Sequence, residues 1–303
     1  MTHVIECDAL TKSYGANRGI EEVTLRIEPG TTFGFLGPNG AGKTTTIRCL
    51  LGMLRPTGGE ARVFGERVTL DGAAIRKRIG YVAGDVRLYE RETGRWHIEH
   101  ISRLRAGSPR SADELIDRLE FDPSRKVREL SKGNKQKLAL VLGFMHDPEL
   151  LVLDEPTSGL DPLNQETVFD IVGERVSAGA TLFLSSHILS EVEQVCERVG
   201  IIREGRLVAE EDVGGLISKR VRDLAVTFDG DVPTGLFDGI DGVTSVAVSG
   251  TSTLTARVRG DVVDAVVKQL AHHRLADLSI AHAKLEEVFR EYYAPGAGEG
   301  EPR

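Results

Sequence analysis

With 303 residues, 40% of them hydrophobic and 28% charged, the chain has material for one large domain and a small one, each with its own core. A net charge of −8, with no Lys/Arg cluster interleaved with aromatics, argues against nucleic acid as a partner. The isolated Cys7, Cys49 and Cys196 lack the spacing of a zinc or redox site. The first residues lack the charged and apolar regions of a signal peptide, and no apolar run approaches the ~20 residues that cross a bilayer, so a cytosolic protein with buried thiols is expected.

Residues 4 to 36 carry short alternating or apolar segments, such as Val23 to Ile27, broken by Gly15 and by Pro29-Gly30. They predict antiparallel β structure leading into a buried strand, Thr32 to Leu36. Tyr14 lies in this region, where its ring could stack an adenine. The nine residues that follow the strand are Gly37, Pro38, Asn39, Gly40, Ala41, Gly42, Lys43, Thr44 and Thr45, which fit a P-loop. Beyond them Ile47, Leu50, Leu51 and Leu54 recur at helical spacing. Glycines let successive N–H groups converge on phosphate oxygens, and the helix start adds the positive end of its dipole. In that cradle Lys43 would bridge the β- and γ-phosphates of a nucleotide and Thr44 would ligate magnesium.

After the strand Ile79 to Val82, a helical stretch is expected from about residue 85 to 130, with Ser111 and Glu114 forming a capping box and Gly107-Ser108-Pro109 ending the helix before it. Trp96, His97 and His100 have no ligand companions and are read as surface or packing residues. Ser131 is placed to cap the next helix, whose Leu138, Val141, Leu142 and Met145 form an apolar stripe. The run Leu150 to Leu153 ends in Asp154 and Glu155, as a central parallel strand ends at a ligand site. There Asp154 can hold magnesium and Glu155 can polarise an attacking water. Asp161-Pro162 opens another helix, and the strand Thr181 to Leu184 leads to Ser185-Ser186-His187, whose imidazole could contact a γ-phosphate. The helix Leu189 to Arg198 and the hairpin Ile201 to Val208 complete the domain.

With these parts in this order, residues 1 to about 218, with a helical subdomain at about 85 to 147, resemble the nucleotide-binding subunit of ATP-binding-cassette (ABC) transporters. The resemblance implies an α/β P-loop fold with a mixed sheet core, an antiparallel β subdomain and a helical subdomain. It implies adenine stacking by Tyr14, ATP on Gly37 to Thr45, Mg2+ on Thr44 and Asp154, and hydrolysis by Glu155, His187 and Lys43. Ser131 and Gly133, in the signature Leu130 to Asn134, would serve the nucleotide of a second subunit in a head-to-tail dimer. Ser158 to Asp161 would signal across that dimer, with Asp161 near the nucleotide. Two departures stand out: Lys132 and Asn134 replace a Gly and a Gln of the usual signature, and Gly84 replaces a glutamine that ligates magnesium, leaving Asp85 or water to do so.

Residues 219 to 294 are predicted to be a second module of β-α-β-β-α-β order, an α+β ferredoxin-like domain with helices around Leu236 and from Val262 to His272. Its closing helix, Lys284 to Tyr293, resembles the end of bacterial drug- and antibiotic-resistance exporter ATPases, and residues 295 to 303 are expected to be a disordered tail. The resemblance therefore implies an ATPase that drives separate membrane permease subunits to export drugs or other hydrophobic compounds. It would work as a homodimer or with a paralogous subunit, held at the inner face of the membrane by the permease. The alternatives are a non-transport cassette ATPase of translation or DNA repair, which would carry two cassettes or long coiled coils, and a P-loop kinase, which would not need the signature, His187 and Glu155 together.

Overall fold

The computed structural model describes residues 3–15, 17–105, 111–214 and 221–282. Two compact units divide the chain, Met1–Glu211 and Asp212–Arg303. The first holds two sheets. Strands β1 (Ile5–Tyr14) and β2 (Asn17–Ile27) pair antiparallel, with Ile5 opposite Ile27 and Cys7 opposite Leu25, and the alternation of core-facing residues shifts at an irregularity between Cys7 and Leu10. After β3 (Thr32–Leu36) and α1 (Lys43–Leu50), strands β4 (Gly58–Val63) and β5 (Glu66–Arg67) join that sheet in the order β2-β1-β4-β5. The antiparallel β structure expected around residues 4 to 36 is therefore present.

The second sheet carries the functional edge. Helix α2 (Ala73–Lys77) precedes β6 (Ile79–Val82); α3 (Gly94–Arg105), α4 (Ala112–Arg118), a 3₁₀ turn (Val127–Glu129) and α5 (Lys132–Phe144) form the helical region. Then come β7 (Leu150–Asp154), α6 (Pro162–Ser177), β8 (Thr181–Ser186), α7 (Leu189–Val195), β9 (Arg198–Arg203) and β10 (Arg206–Asp212). The sheet order is β10-β9-β3-β8-β7-β6. Strands β3, β7 and β8 are buried at every residue, as strands covered on both faces must be. Because they run parallel, with Leu36 level with Ser186 and Asp154 level with Ser185, their carboxyl ends open side by side. Phe183 on β8 anchors the layer, its ring 6.0 Å from that of Phe33 and 5.3 Å from that of Phe35.

The capping box at α4 is not formed. Ser111 makes no side-chain cap; its hydroxyl donates instead to Asp147 Oδ1 at 2.9 Å, a charged acceptor brought close by the turn after α5. Residues Gly107 to Pro109 lie outside the described residues. Ser131 does cap α5, accepting from the Asn134 N–H at 3.2 Å. Trp96 stacks on His100 with ring centroids 4.5 Å apart, so both serve packing. All three cysteines are buried and free, and burial pushes the thiols of Cys7 and Cys49 up to about 12 and about 11.

In the second unit, β11 (Val221–Phe228), β12 (Val243–Ser249), β13 (Thr253–Arg259) and β14 (Leu275–His282) form an antiparallel sheet in the order β12-β13-β11-β14, with α8 (Val263–Leu270) between β13 and β14; this is the strand order of a ferredoxin-like module, with one of its two helices. The helix expected around Leu236 is replaced by turns, since Gly235 and Gly239 adopt φ of +68° and +84° that a right-handed helix cannot use. The segments 284 to 293 and 295 to 303 lie outside the described residues. Among the described residues no helix is long and apolar enough to cross a membrane.

Phe183→Ala should cost the first unit about 3–5 kcal/mol, the usual penalty for emptying a buried aromatic site, read as a lower midpoint in urea unfolding. A change under about 1 kcal/mol would show that the three-ring cluster does not anchor the sheet.

Candidate functional site

The loop Gly37 to Thr45 joins β3 to α1 and needs its glycines. Gly40 and Gly42 sit at φ +82° and +113°, and a Cβ on Gly37 would lie 2.3 Å from the Ile202 carbonyl oxygen. The β9–β10 turn braces it from behind through the Gly205 N–H, which donates to the Ala41 oxygen at 2.9 Å. Lys43 is buried and donates to the loop's own Gly37 and Pro38 oxygens at 2.6 and 3.2 Å. Burial holds its ammonium below the ordinary lysine range, against the pull of Glu155 and Asp154.

Asp154, at the end of β7, is only 3% exposed. Its two oxygens accept from Thr44 Oγ1 at 2.7 Å and Ser185 Oγ at 2.9 Å, tying β7 to α1 on one side and to β8 on the other. The next residue, Glu155, takes a left-handed φ of +49° while its N–H donates to the Ser185 oxygen. Its Oε1 lies 3.1 Å from His187 Nδ1 and 3.7 Å from Lys43 Nζ. Thr44 and Asp154 thus offer adjoining hard oxygen ligands, a donor set that suits Mg2+, which takes one or two protein ligands and completes its shell with phosphates and water.

Lys43, Thr44 and Glu155 border a cavity of about 180 Å³ that is also lined by Gly19, Asn39, Gly40, Gly42 and Thr45, while Asp154 and His187 stand behind that lining, bonded to Thr44 and Glu155. Tyr14 is not among the lining residues; its ring packs against Gly19, where a Cβ would lie 3.1 Å from Tyr14 Cδ2. A larger hollow of about 640 Å³, near Thr32 and Cys196, lies at the amino ends of the strands and contains none of the expected site residues.

Other expected residues lie elsewhere. Ser131 and Gly133 are at the start of α5 and do not line this cavity. Asp161 caps α6, where hydrogen bonds from Asn164 hold its carboxyl below the usual range. Asp85 pairs with Arg87 at 3.0 Å and is well exposed. A Cβ on Gly84 would sit 3.1 Å from the Asp154 backbone oxygen and 3.7 Å from Asp154 Cγ, so a longer side chain at 84 would begin beside the Asp154 carboxyl.

The sequence reading missed a buried support. Glu191 on α7 is 5% exposed and accepts from Ser186 Oγ at 2.5 Å and from Thr157 Oγ1. Thr157 lies two residues after Glu155 and Ser186 precedes His187, so one carboxylate holds the turns that carry both side chains. The available signal was an acid among the core positions of α7, between Leu189 and Val192.

A family profile described as ABC transporter matches residues 20–158. Over 217 residues, 69% of this chain and 70% of the relative, the chain is 38% identical to the bacitracin transport ATP-binding protein BcrA of Bacillus licheniformis. Over 305 residues, 95% of this chain and 92% of the relative, it is 34% identical to the daunorubicin/doxorubicin resistance ATP-binding protein DrrA of Streptomyces peucetius. The dimeric structure of a bacterial ABC transporter cassette superposes with a TM-score of 0.61 at 22% identity, covering 69% of this chain and 98% of that one.

Glu191→Ala would leave the Thr157 and Ser186 hydroxyls buried without their shared acceptor. The expected loss is about 1–3 kcal/mol in urea unfolding, with a smaller loss for Glu191→Gln. Equal stability of all three proteins would show that the carboxylate does not hold the turns.

Proposed function

This chain belongs to the ABC transporter family as an ATP-binding, ATP-hydrolysing protein, and from that premise we propose that two subunits close head to tail over two Mg·ATP to drive a separate membrane permease. ATPase domains of this family dimerise and work with membrane permeases. The observation that carries the reading is the grouping of Lys43, Thr44, Asp154, Glu155 and His187 at one edge of a parallel sheet.

In this reading Gly37 to Thr45 cradle the phosphates, and Lys43 exchanges the Gly37 and Pro38 carbonyls for the β- and γ-phosphates. Thr44 and Asp154 would hold magnesium, which would supply neutralisation of the phosphate charge. Glu155 aligns a water in line with the γ-phosphorus and takes its proton. His187 steadies Glu155 and meets the γ-phosphate. Tyr14 stacks the adenine. Ser131 and Gly133 of the second subunit contribute the N-terminus of α5 to the γ-phosphate, and Asp161 adjoins that junction. With glycine at 84, a further magnesium position would fall to water or to Asp85, which would first have to leave Arg87.

The second subunit is a copy of this chain or a paralogue. The bacitracin transport and daunorubicin/doxorubicin resistance relatives support export of antibiotics or other hydrophobic compounds over a role in translation or DNA repair. The ATPase is then cytoplasmic, held at the inner membrane face by its permease.

Glu155→Gln is expected to keep ATP binding, lower turnover by at least ~100-fold, as loss of a general base does, and accumulate an ATP-bound dimer in sedimentation. Turnover at the wild-type rate would remove Glu155 from its role. Lys43→Ala should abolish nucleotide binding or turnover, measured by calorimetry and phosphate release. Unchanged affinity together with an unchanged rate would refute the cradle.

A further inference from the structure

The signature segment contains a charged residue to which the mechanism gives no task. Lys132 is the first residue of α5, and its Nζ donates to Ser158 Oγ at 2.9 Å. Its stem lies along Gly159, where a Cβ would meet Lys132 Cδ, Cγ and Cε at 3.1 to 3.4 Å. The neighbouring Gly133 approaches the same turn so closely that a Cβ there would stand 2.7 Å from the Gly159 oxygen. Gly159 itself has φ +83°, so both the fold of the turn and the passage of the lysine exclude a side chain at this position.

The contacts continue toward the reaction centre. The Ser158 N–H donates to the Glu155 oxygen at 3.2 Å, and Glu155 Oε1 faces His187 and Lys43. The start of α5 and the catalytic carboxylate are thus joined through Lys132 and one short turn. In the head-to-tail dimer on which this inference rests, Ser131 and Gly133 of a subunit attend its partner's nucleotide, while Glu155 attends its own.

We propose that Lys132 is a positioning residue that couples the two ATP sites: a nucleotide seated against the start of α5 fixes Ser158 through Lys132, and Ser158 fixes Glu155 in the other site. In a single chain Lys132 is exposed, and a solvated bond of this kind contributes little. A second subunit covering it would exclude water and strengthen the bond, so the coupling is felt when both sites are closing. The other task for the ammonium, direct contact with the partner's γ-phosphate, would require Lys132 to leave Ser158 and would make Ser158 irrelevant. A donor already tied to that hydroxyl, on a stem packed along Gly159, favours the strap.

The test is steady-state hydrolysis against ATP concentration for the full-length wild type, Lys132→Met, Ser158→Ala, the double variant and Lys132→Arg, with affinity for a fluorescent ATP analogue measured in parallel. The wild type should be cooperative, with a Hill coefficient near ~2 for two coupled sites. Each single variant should bring it toward ~1 and lower kcat about 5-fold or more, with analogue affinity unchanged. The double variant should be no worse than either single variant, because both remove the same link. Lys132→Arg should recover part of the cooperativity. A non-cooperative wild type, single variants with wild-type curves, or additive losses in the double variant would each overturn the proposal. Absence of ATP hydrolysis by the wild type would overturn the underlying ATPase reading instead, and is seen before any variant is made.

Discussion

The site depends on how one buried carboxylate is held. Asp154 ends a strand with no solvent on either face, and an unpaired charge there would be costly. The Thr44 and Ser185 hydroxyls supply its hydrogen bonds, and the Lys43 ammonium is near enough to feel its charge. Those two hydroxyls come from the first turn of α1, just after the loop that follows β3, and from β8, so satisfying Asp154 also ties together the elements at three strand ends. The parallel register does the rest: loops leaving β3, β7 and β8 must emerge side by side.

Around that clamp the backbone is held in a conformation that is unfavourable in isolation. Glu155 has a left-handed φ without being glycine, a cost of order 1–3 kcal/mol that neighbouring contacts must offset. Its N–H bond to Ser185, the Glu191 bridge beneath it and the Ser158 bond beyond it all act on this turn. They aim the Glu155 side chain at Lys43 and His187.

Much of this was legible in the sequence because the signals are local. The glycine spacing of residues 37 to 42, the apolar run ending at Asp154 and the Ser131 cap each follow from neighbours within a few positions. What escaped depends on distant partners. Ser111 has the spacing of a capping box, but the Asp147 carboxylate, 36 residues away, accepts its hydroxyl. Glu191 looks like any helix acid until Thr157 and Ser186 are brought to it. Pattern and periodicity predicted a helix around Leu236, where two glycines with positive φ form turns although Leu236 and Phe237 remain buried. Asp85, which the sequence offers beside water for the magnesium position left by Gly84, is paired with Arg87, a partner two residues on that pattern alone does not single out.

The central claim is that the loop Gly37 to Thr45 is half of a composite site. The most direct measurement is a structure of the Glu155→Gln protein with ATP and Mg2+. The account predicts Lys43 Nζ moved from the Gly37 and Pro38 oxygens onto the phosphates, with Ser131 of a second subunit over the γ-phosphate. ATP bound to a chain whose Lys43 still caps its own loop, or a γ-phosphate with no Ser131 near it, would contradict the account.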